Sequence, residues 1–530
     1  MANNTREIQI DSILGGHSPT SHFSTSNQFR GSLGIDPAQP IDDTGSAYST
    51  VASGLLRPVA CESIGTVASA PLWFVTNPKT ANTYVYCANS SVYAIGDDFT
   101  TVTALSDAGE LTNGLGNGAE YYDNYVYFAK NTTIARLGPL SGALTLNGDY
   151  WVTTLAKTQL TDTAYPQTFK NKLRLPNHIL KRHSDGRLYI LDVVGNQGNV
   201  HYIQTSKTTV EGDTDNGSTY GALTFGYGLY PTACESYGEE LAIAFYEGSN
   251  ANLKQAKAKL AFWDPTQTNI NKLIWVEFPD QIITALKNVN GILYAVSGNI
   301  NAQGFRISRF MGGYQFQEVW YSETGEPCLP GAVEAILNRF IFGTHTNIPE
   351  DDGTVCSVGL QKDGLGNGIF GVMRATGGNS STCVTAVSVA DNYELGFNVP
   401  IIGWTQAGDG STGVSHAINI QGTTYNGANQ VFWSQLYRIG EAFKITKITI
   451  TTAQAIGTNM TIVPKIYLDD GSQTVTLQTI NDTNYSGKRR IVYKPTASGY
   501  TNFWLELKWT GSALCTVNLP IKIEYETIDD

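Results

Sequence analysis

At 530 residues the chain is long enough for two or three domains, and 41% hydrophobic residues supply a sizeable core. Only 15% of residues are charged, against a usual share of about 25%, and a net charge of −12 argues against a nucleic-acid backbone or an anionic membrane as the main partner. The cysteines at 61, 87, 234, 328, 356, 383 and 515 are odd in number and form no C-x-x-C pair, a pattern of reduced, buried thiols rather than of a disulfide framework or a zinc site.

Residues 1–55 read as an extended arm. Met1 to Glu7 lead into no apolar run of the secretory kind, and no stretch of the chain approaches the length that spans a bilayer. The arm is rich in Ser, Thr, Gly and Pro, so it buries little by itself. Scattered apolar positions, Ile10, Ile13, Leu14, Phe23, Phe29, Leu33 and Ile35, predict that it docks, either closing the last unit of the following domain or lying along a neighbouring subunit.

Residues 56–440 repeat a turn residue followed by a short aromatic-aliphatic strand. The turns fall at Thr83, Asn124, Gly186, Gly238, Gly291, Asn338 and Asn392, spaced by 41, 62, 52, 53, 47 and 54 residues. A period of about 50 is the size of one four-stranded propeller blade. In one unit Gln281–Leu286 precedes Asn290-Gly291, a strong hairpin dipeptide; Phe305–Phe310 and Phe316–Tyr321 then complete four strands. A second unit runs through Ala242–Phe245, Lys259–Trp263 and Ile274–Phe278. A lone four-stranded sheet leaves both faces wet, whereas radial stacking buries them. The expectation is an all-β chain with a β-propeller of about seven blades.

Residues 441–530 change to alternation with period two. Phe503, Leu505, Leu507 and Trp509 share one face, Ile521, Ile523 and Tyr525 another, and Ile462, Ile466 and Leu468 lead to the turn Asp469-Asp470-Gly471. One buried and one wet face predict a small antiparallel β-sandwich or jelly roll.

No motif of catalytic strength occurs, so no catalytic, cofactor or metal residue is assigned and the chain reads as a non-enzyme. Gly16-His17-Ser18-Pro19-Thr20 lacks the closing glycine and preceding strand of a nucleophile elbow. Gly114–Gly118 recurs as Gly364–Gly368, but no helix follows to make a phosphate cradle, and both read as loops between blades. Asp213–Gly217 lacks the later glutamate of a calcium loop, and Asp351-Asp352-Gly353 is equally short of ligands. The histidines at 17, 22, 178, 183, 201, 345 and 416 are dispersed, and Lys488-Arg489-Arg490 is too short to reverse the acidic balance.

The arm carries a resemblance. Leu14–Pro19 (Leu-Gly-Gly-x-Ser-Pro), Gly34–Pro37 (Gly-Ile-Asp-Pro) and Ser53–Pro58, followed by an irregular propeller and a C-terminal sandwich, resemble tail-associated structural proteins of tailed bacteriophage virions. The resemblance implies a multicopy virion component near the tail tube, nozzle or tip, made in the host cytoplasm, whose partners are other virion proteins and copies of itself. It brings no catalytic residues. Two other readings stand beside it: an adhesin for host-surface glycan or protein, and a propeller glycan hydrolase, which would need an acid and a second carboxylate in the channel.

Overall fold

The computed structural model describes residues 5–11, 16–17, 28–35, 55–80, 82–89, 91–105, 118–129, 133–152, 179–194, 197–204, 222–249, 252–299, 304–322, 327–336, 339–344, 354–360, 367–374, 382–392, 397–406, 415–422 and 430–528. Strands dominate. Six consecutive groups of four form antiparallel sheets, numbered here in chain order. Sheet 1 starts with Pro71–Thr76, sheet 2 with Ala119–Tyr122 and sheet 3 with Ile179–Arg182. Sheet 4 starts with Leu229–Tyr237, sheet 5 with Ile282–Val289 and sheet 6 with Val333–Ile336. Sheet 7 takes three strands from Thr382–Asn392, Phe397–Gln406 and Ser415–Gln421. Its fourth is Cys61–Thr66, which pairs with Ser415–Gln421.

Asn124, Gly186, Gly238 and Gly291 lead into the second strands of sheets 2 to 5, and Thr83 opens that of sheet 1. Asn392 instead ends the first strand of sheet 7, whose second strand is Phe397–Gln406, and Asn338 lies outside the described residues, ahead of Arg339–Gly343 in sheet 6. The second strand lies inside its sheet with a sheet stacked on either face, so both faces are apolar: Thr83–Cys87 is buried throughout, as are Leu241–Tyr246. At the turn of sheet 5, Asn290 and Gly291 take φ of 49° and 86°, the pair of left-handed conformations that joins two twisted strands in two residues. Separate apolar clusters fill the spaces between sheets 1 and 2, 2 and 3, 3 and 4, 4 and 5, and 7 and 1.

The first strands touch in cyclic order, sheet 1 against 2 and onward to sheet 7, which returns to sheet 1. Closure removes the unpaired ends that an open stack would leave. The fold of this part is a β-propeller.

Two further sheets stand beside it. Sheet 8 is built on Phe443–Thr452 and Val517–Thr527, flanked by Arg490–Tyr493 and, at its edge, Thr5–Ile10. Sheet 9 runs through Gln473–Thr476, Thr461–Leu468, Asn502–Trp509, Gln430–Trp433 and Gly31–Leu33. Phe443, Ile445, Ile448 and Ile450 of sheet 8 join Ile462, Ile466, Phe503, Leu505 and Leu507 of sheet 9 in one core, continuous with that of sheets 5 to 7.

Two boundaries differ from the sequence expectation. Gln430–Trp433, ahead of residue 441, already belongs to sheet 9; it is buried throughout and shows no alternation to mark it. The 1–55 arm, where described, is stitched into the same body. Thr5–Ile10 pairs with Val517–Thr527, Gly31–Leu33 with Gln430–Trp433, and Leu55–Leu56 with Val517 and Asn518. The strand that closes sheet 7 comes just after the arm. No helix among the described residues is long and apolar enough to cross a membrane.

Candidate functional site: a channel lined with alternating charges

The first strands of all seven sheets surround a cavity of about 330 Å³. Five of them each place one charged side chain on its wall: Glu120 from sheet 2, Lys181 from sheet 3, Glu235 from sheet 4, Lys287 from sheet 5 and Glu334 from sheet 6. The sign alternates from each sheet to the next. These residues face Tyr127, Tyr189, Ala242, Tyr294 and Ile341 of their own second strands, an equivalent layer in each sheet.

Lys181 Nζ donates to Glu235 Oε2 at 2.8 Å, and Lys287 pairs with Glu334 Oε1. All three glutamates bend back to accept the N–H of the following residue, at 3.1 Å for Glu120, 3.1 Å for Glu235 and 2.8 Å for Glu334. Glu120 Oε2 also accepts the Arg182 N–H at 3.5 Å, but among the described residues no lysine or arginine pairs with it. Burial raises the Glu120 carboxyl above its ordinary range, against the pull of Lys181 and Lys287. Burial works against the charge on Lys181, yet Glu235 and then Glu120 outweigh it and hold the ammonium above its ordinary range.

Sheets 7 and 1 line the rest of the wall with residues 387–389 and 73–76 and contribute no charge. Trp73 lies against the main chain of sheet 6. A Cβ at Gly331 would meet the Leu72 carbonyl oxygen at 1.9 Å and the Trp73 ring at 3.1 Å, so only glycine allows this approach. Cys234 also lines the cavity, but burial pushes its thiol up, away from the thiolate that a nucleophile requires.

The residues weighed from sequence lie elsewhere. Gly16 and His17 pair in parallel with Gln28 and Phe29, while Ser18, Pro19 and Thr20 fall outside the described residues. Of the two glycine-rich repeats only Gly118 and Asn367-Gly368 are described, the latter opening the last strand of sheet 6. Asp213–Gly217, Asp351–Gly353, His22, His178 and His345 fall outside. His183 Nδ1 is 2.8 Å from Ser236 Oγ, and His416 Nδ1 is 2.8 Å from Thr405 Oγ1. His201 is buried with Asp192, Nε2 to Oδ2 3.3 Å. Arg490 opens an edge strand of sheet 8. Cys87, Cys234, Cys328 and Cys515 are free thiols, Cys61 Sγ accepts from Asn419 Nδ2 at 3.2 Å, and Cys383 Sγ donates to the Val384 carbonyl. No group of three or more His, Cys, Asp or Glu among the described residues is arranged to hold a metal ion.

The channel charges carry no motif. Their signal in the sequence is positional: each lies three to five residues ahead of the turn residue of its repeat.

No protein-family model matches the chain, and no curated protein matches it. Solved structures of similar shape include the WD40 domain of Neurospora crassa Pan2, at 8% identity over 69% of this chain and 95% of that one with a TM-score of 0.40. The RRP9 WD40 repeats are similar at 10% identity over 69% and 98%, TM-score 0.43. The extracellular domain of BT4673 from B. thetaiotaomicron is similar at 9% identity over 76% and 45%, TM-score 0.38.

Proposed function

We propose that this chain is a non-catalytic structural component of a tailed-phage virion, a seven-bladed propeller and a C-terminal sandwich fastened into one rigid platform near the tail. The observation that supports a platform is the double stitching by the first 66 residues. Their strands complete both sheets of the terminal body and close the ring. A unit fastened in this way presents fixed surfaces to its neighbours. With 15% charged residues, those surfaces cost little to desolvate, which suits subunit contacts. Its partners are copies of itself and other virion proteins, and the phage placement rests on the arm's resemblance. Mass spectrometry and imaging of purified particles test it: a fixed copy number on the tail is expected, and absence from particles overturns the assignment.

A second reading, a glycan hydrolase, draws on the raised Glu120 carboxyl in a channel that also holds Glu235. Lys181, on the strand between them, ties up Glu235. Hydrolysis of p-nitrophenyl glycosides that is lost in Glu120→Gln is the result this reading requires.

A further inference from the structure

The alternation around the channel is incomplete. Going round from sheet 2 to sheet 6 the wall reads Glu120, Lys181, Glu235, Lys287, Glu334, and then sheets 7 and 1 leave a gap. Both sides of that gap are carboxylates. Two ammonium groups serve three carboxylates: Lys181 is held by Glu235 and Lys287 by Glu334, so among the described residues Glu120 accepts hydrogen bonds from main-chain N–H groups alone and meets the two ammonium groups only at longer range.

The gap has the lining that a small cation takes. Trp73, half-buried beside Gly331, lies on one side and Ser388 on the other, while the Phe74 ring packs toward Gly403 of sheet 7. An indole face attracts an ammonium group, and a serine hydroxyl accepts its N–H. An anion would meet carboxylates at both ends, and a neutral molecule would leave the wall with three carboxylates to two ammonium groups. The cavity has room for an alkyl chain, since one water takes about 30 Å³ of the liquid. We infer that the uncharged arc of the channel binds a primary alkylammonium group between Glu120 and Glu334, completing the alternation of charge. A lysine side chain of a partner segment and a free polyamine share this chemistry. The inference does not depend on where the protein resides.

The test is calorimetric titration of the full chain at constant ionic strength with n-butylammonium, with n-butanol as the uncharged control. Saturable binding of the amine and none of the alcohol is expected. Glu120→Gln weakens the amine at least tenfold, and Glu441→Gln, on the outer surface, leaves it unchanged. Parallel titrations with spermidine and with N-acetyl-lysine amide distinguish the sources: whichever binds more tightly than n-butylammonium identifies the natural form. A second variant guards against misfolding. Ser388→Lys carries its own ammonium into the gap, so it should melt above Ser388→Met, which has similar length, and should no longer take up the amine. Absence of saturable amine binding by the folded wild type, unchanged binding in Glu120→Gln, or Ser388→Lys melting below Ser388→Met overturns the inference.

Discussion

In the ring, strand follows strand: sheets 1 to 6 are each made of four consecutive strands, and only sheet 7 borrows one from far away. In the terminal body the pairing runs across the chain, Thr5 opposite Glu526 at a separation of 521 residues. Contacts local in sequence form at small loop-closure cost, and distant ones wait until the intervening chain is ordered. The ring sheets are therefore expected to form before the N-terminal strands dock on the body. The two nevertheless share one continuous core through sheets 5 to 7.

The largest expected effect tests whether they unfold together. Phe503 is fully buried in the body, and Phe503→Ala should cost about 3–5 kcal/mol. Calorimetry of the variant should show one transition at lower temperature. A shift in one of two separate transitions would divide the molecule into independent halves.

Next comes Gly331→Ala, on the ring side. The clash is with the main-chain carbonyl of Leu72 and cannot be relieved by turning a side chain. A loss of about 1–3 kcal/mol, read from the urea midpoint, is expected for forced overpacking.

Lys181→Met follows, because it leaves Glu235 facing the channel without its ammonium. Removing one member of a fully buried pair costs about 3–5 kcal/mol; channel solvent screens this pair, which brings the expectation to about 2 kcal/mol. Lys181 is held above its ordinary 10.5, so its contribution is present below that pH and is lost as pH rises beyond it. The wild type and Lys181→Met should therefore converge in stability on the alkaline side.

Glu120 gives a smaller effect of definite sign. Its carboxyl is raised above 4.5 in the folded chain, so the folded state holds its proton more tightly than the unfolded state. Its contribution favours folding at acid pH and is lost as pH rises from 4.5 through the folded value. Urea midpoints between pH 4 and 7 should fall with pH relative to Glu120→Gln; a constant difference would remove Glu120 from the buried layer. The smallest effect belongs to the outer edge of the body. Arg6 and Glu441 pair at 3.0 Å with both side chains about half exposed, and Glu441→Gln should leave the melting temperature unchanged within error.

The two regions were not equally legible. The second strands stood out because burial on both faces makes a continuous apolar run after a turn residue, as in Gly291 followed by Ile292–Gly298. The body's later strands were visible through alternation, as in Ile521, Ile523 and Tyr525. Gln430–Trp433 was not, since burial throughout erases the period of two. The channel was invisible as a site. Each of its charges is a single residue on a first strand, and nothing local separates Lys181 or Glu235 from an ordinary surface charge.

What the sequence determined by itself is local. Turn residues such as Asn290-Gly291 and runs of apolar residues set where strands start and which faces they bury, because backbone sterics and side-chain burial act over a few residues. Three things were decided only by the tertiary structure. Cys61–Thr66 closes sheet 7, the N-terminal strands complete the terminal body, and five charges from residues 120 to 334 meet in one alternating wall. Each depends on ring closure or on long-range pairing. The energy of such contacts comes from partners far away in the chain, so no local pattern records them.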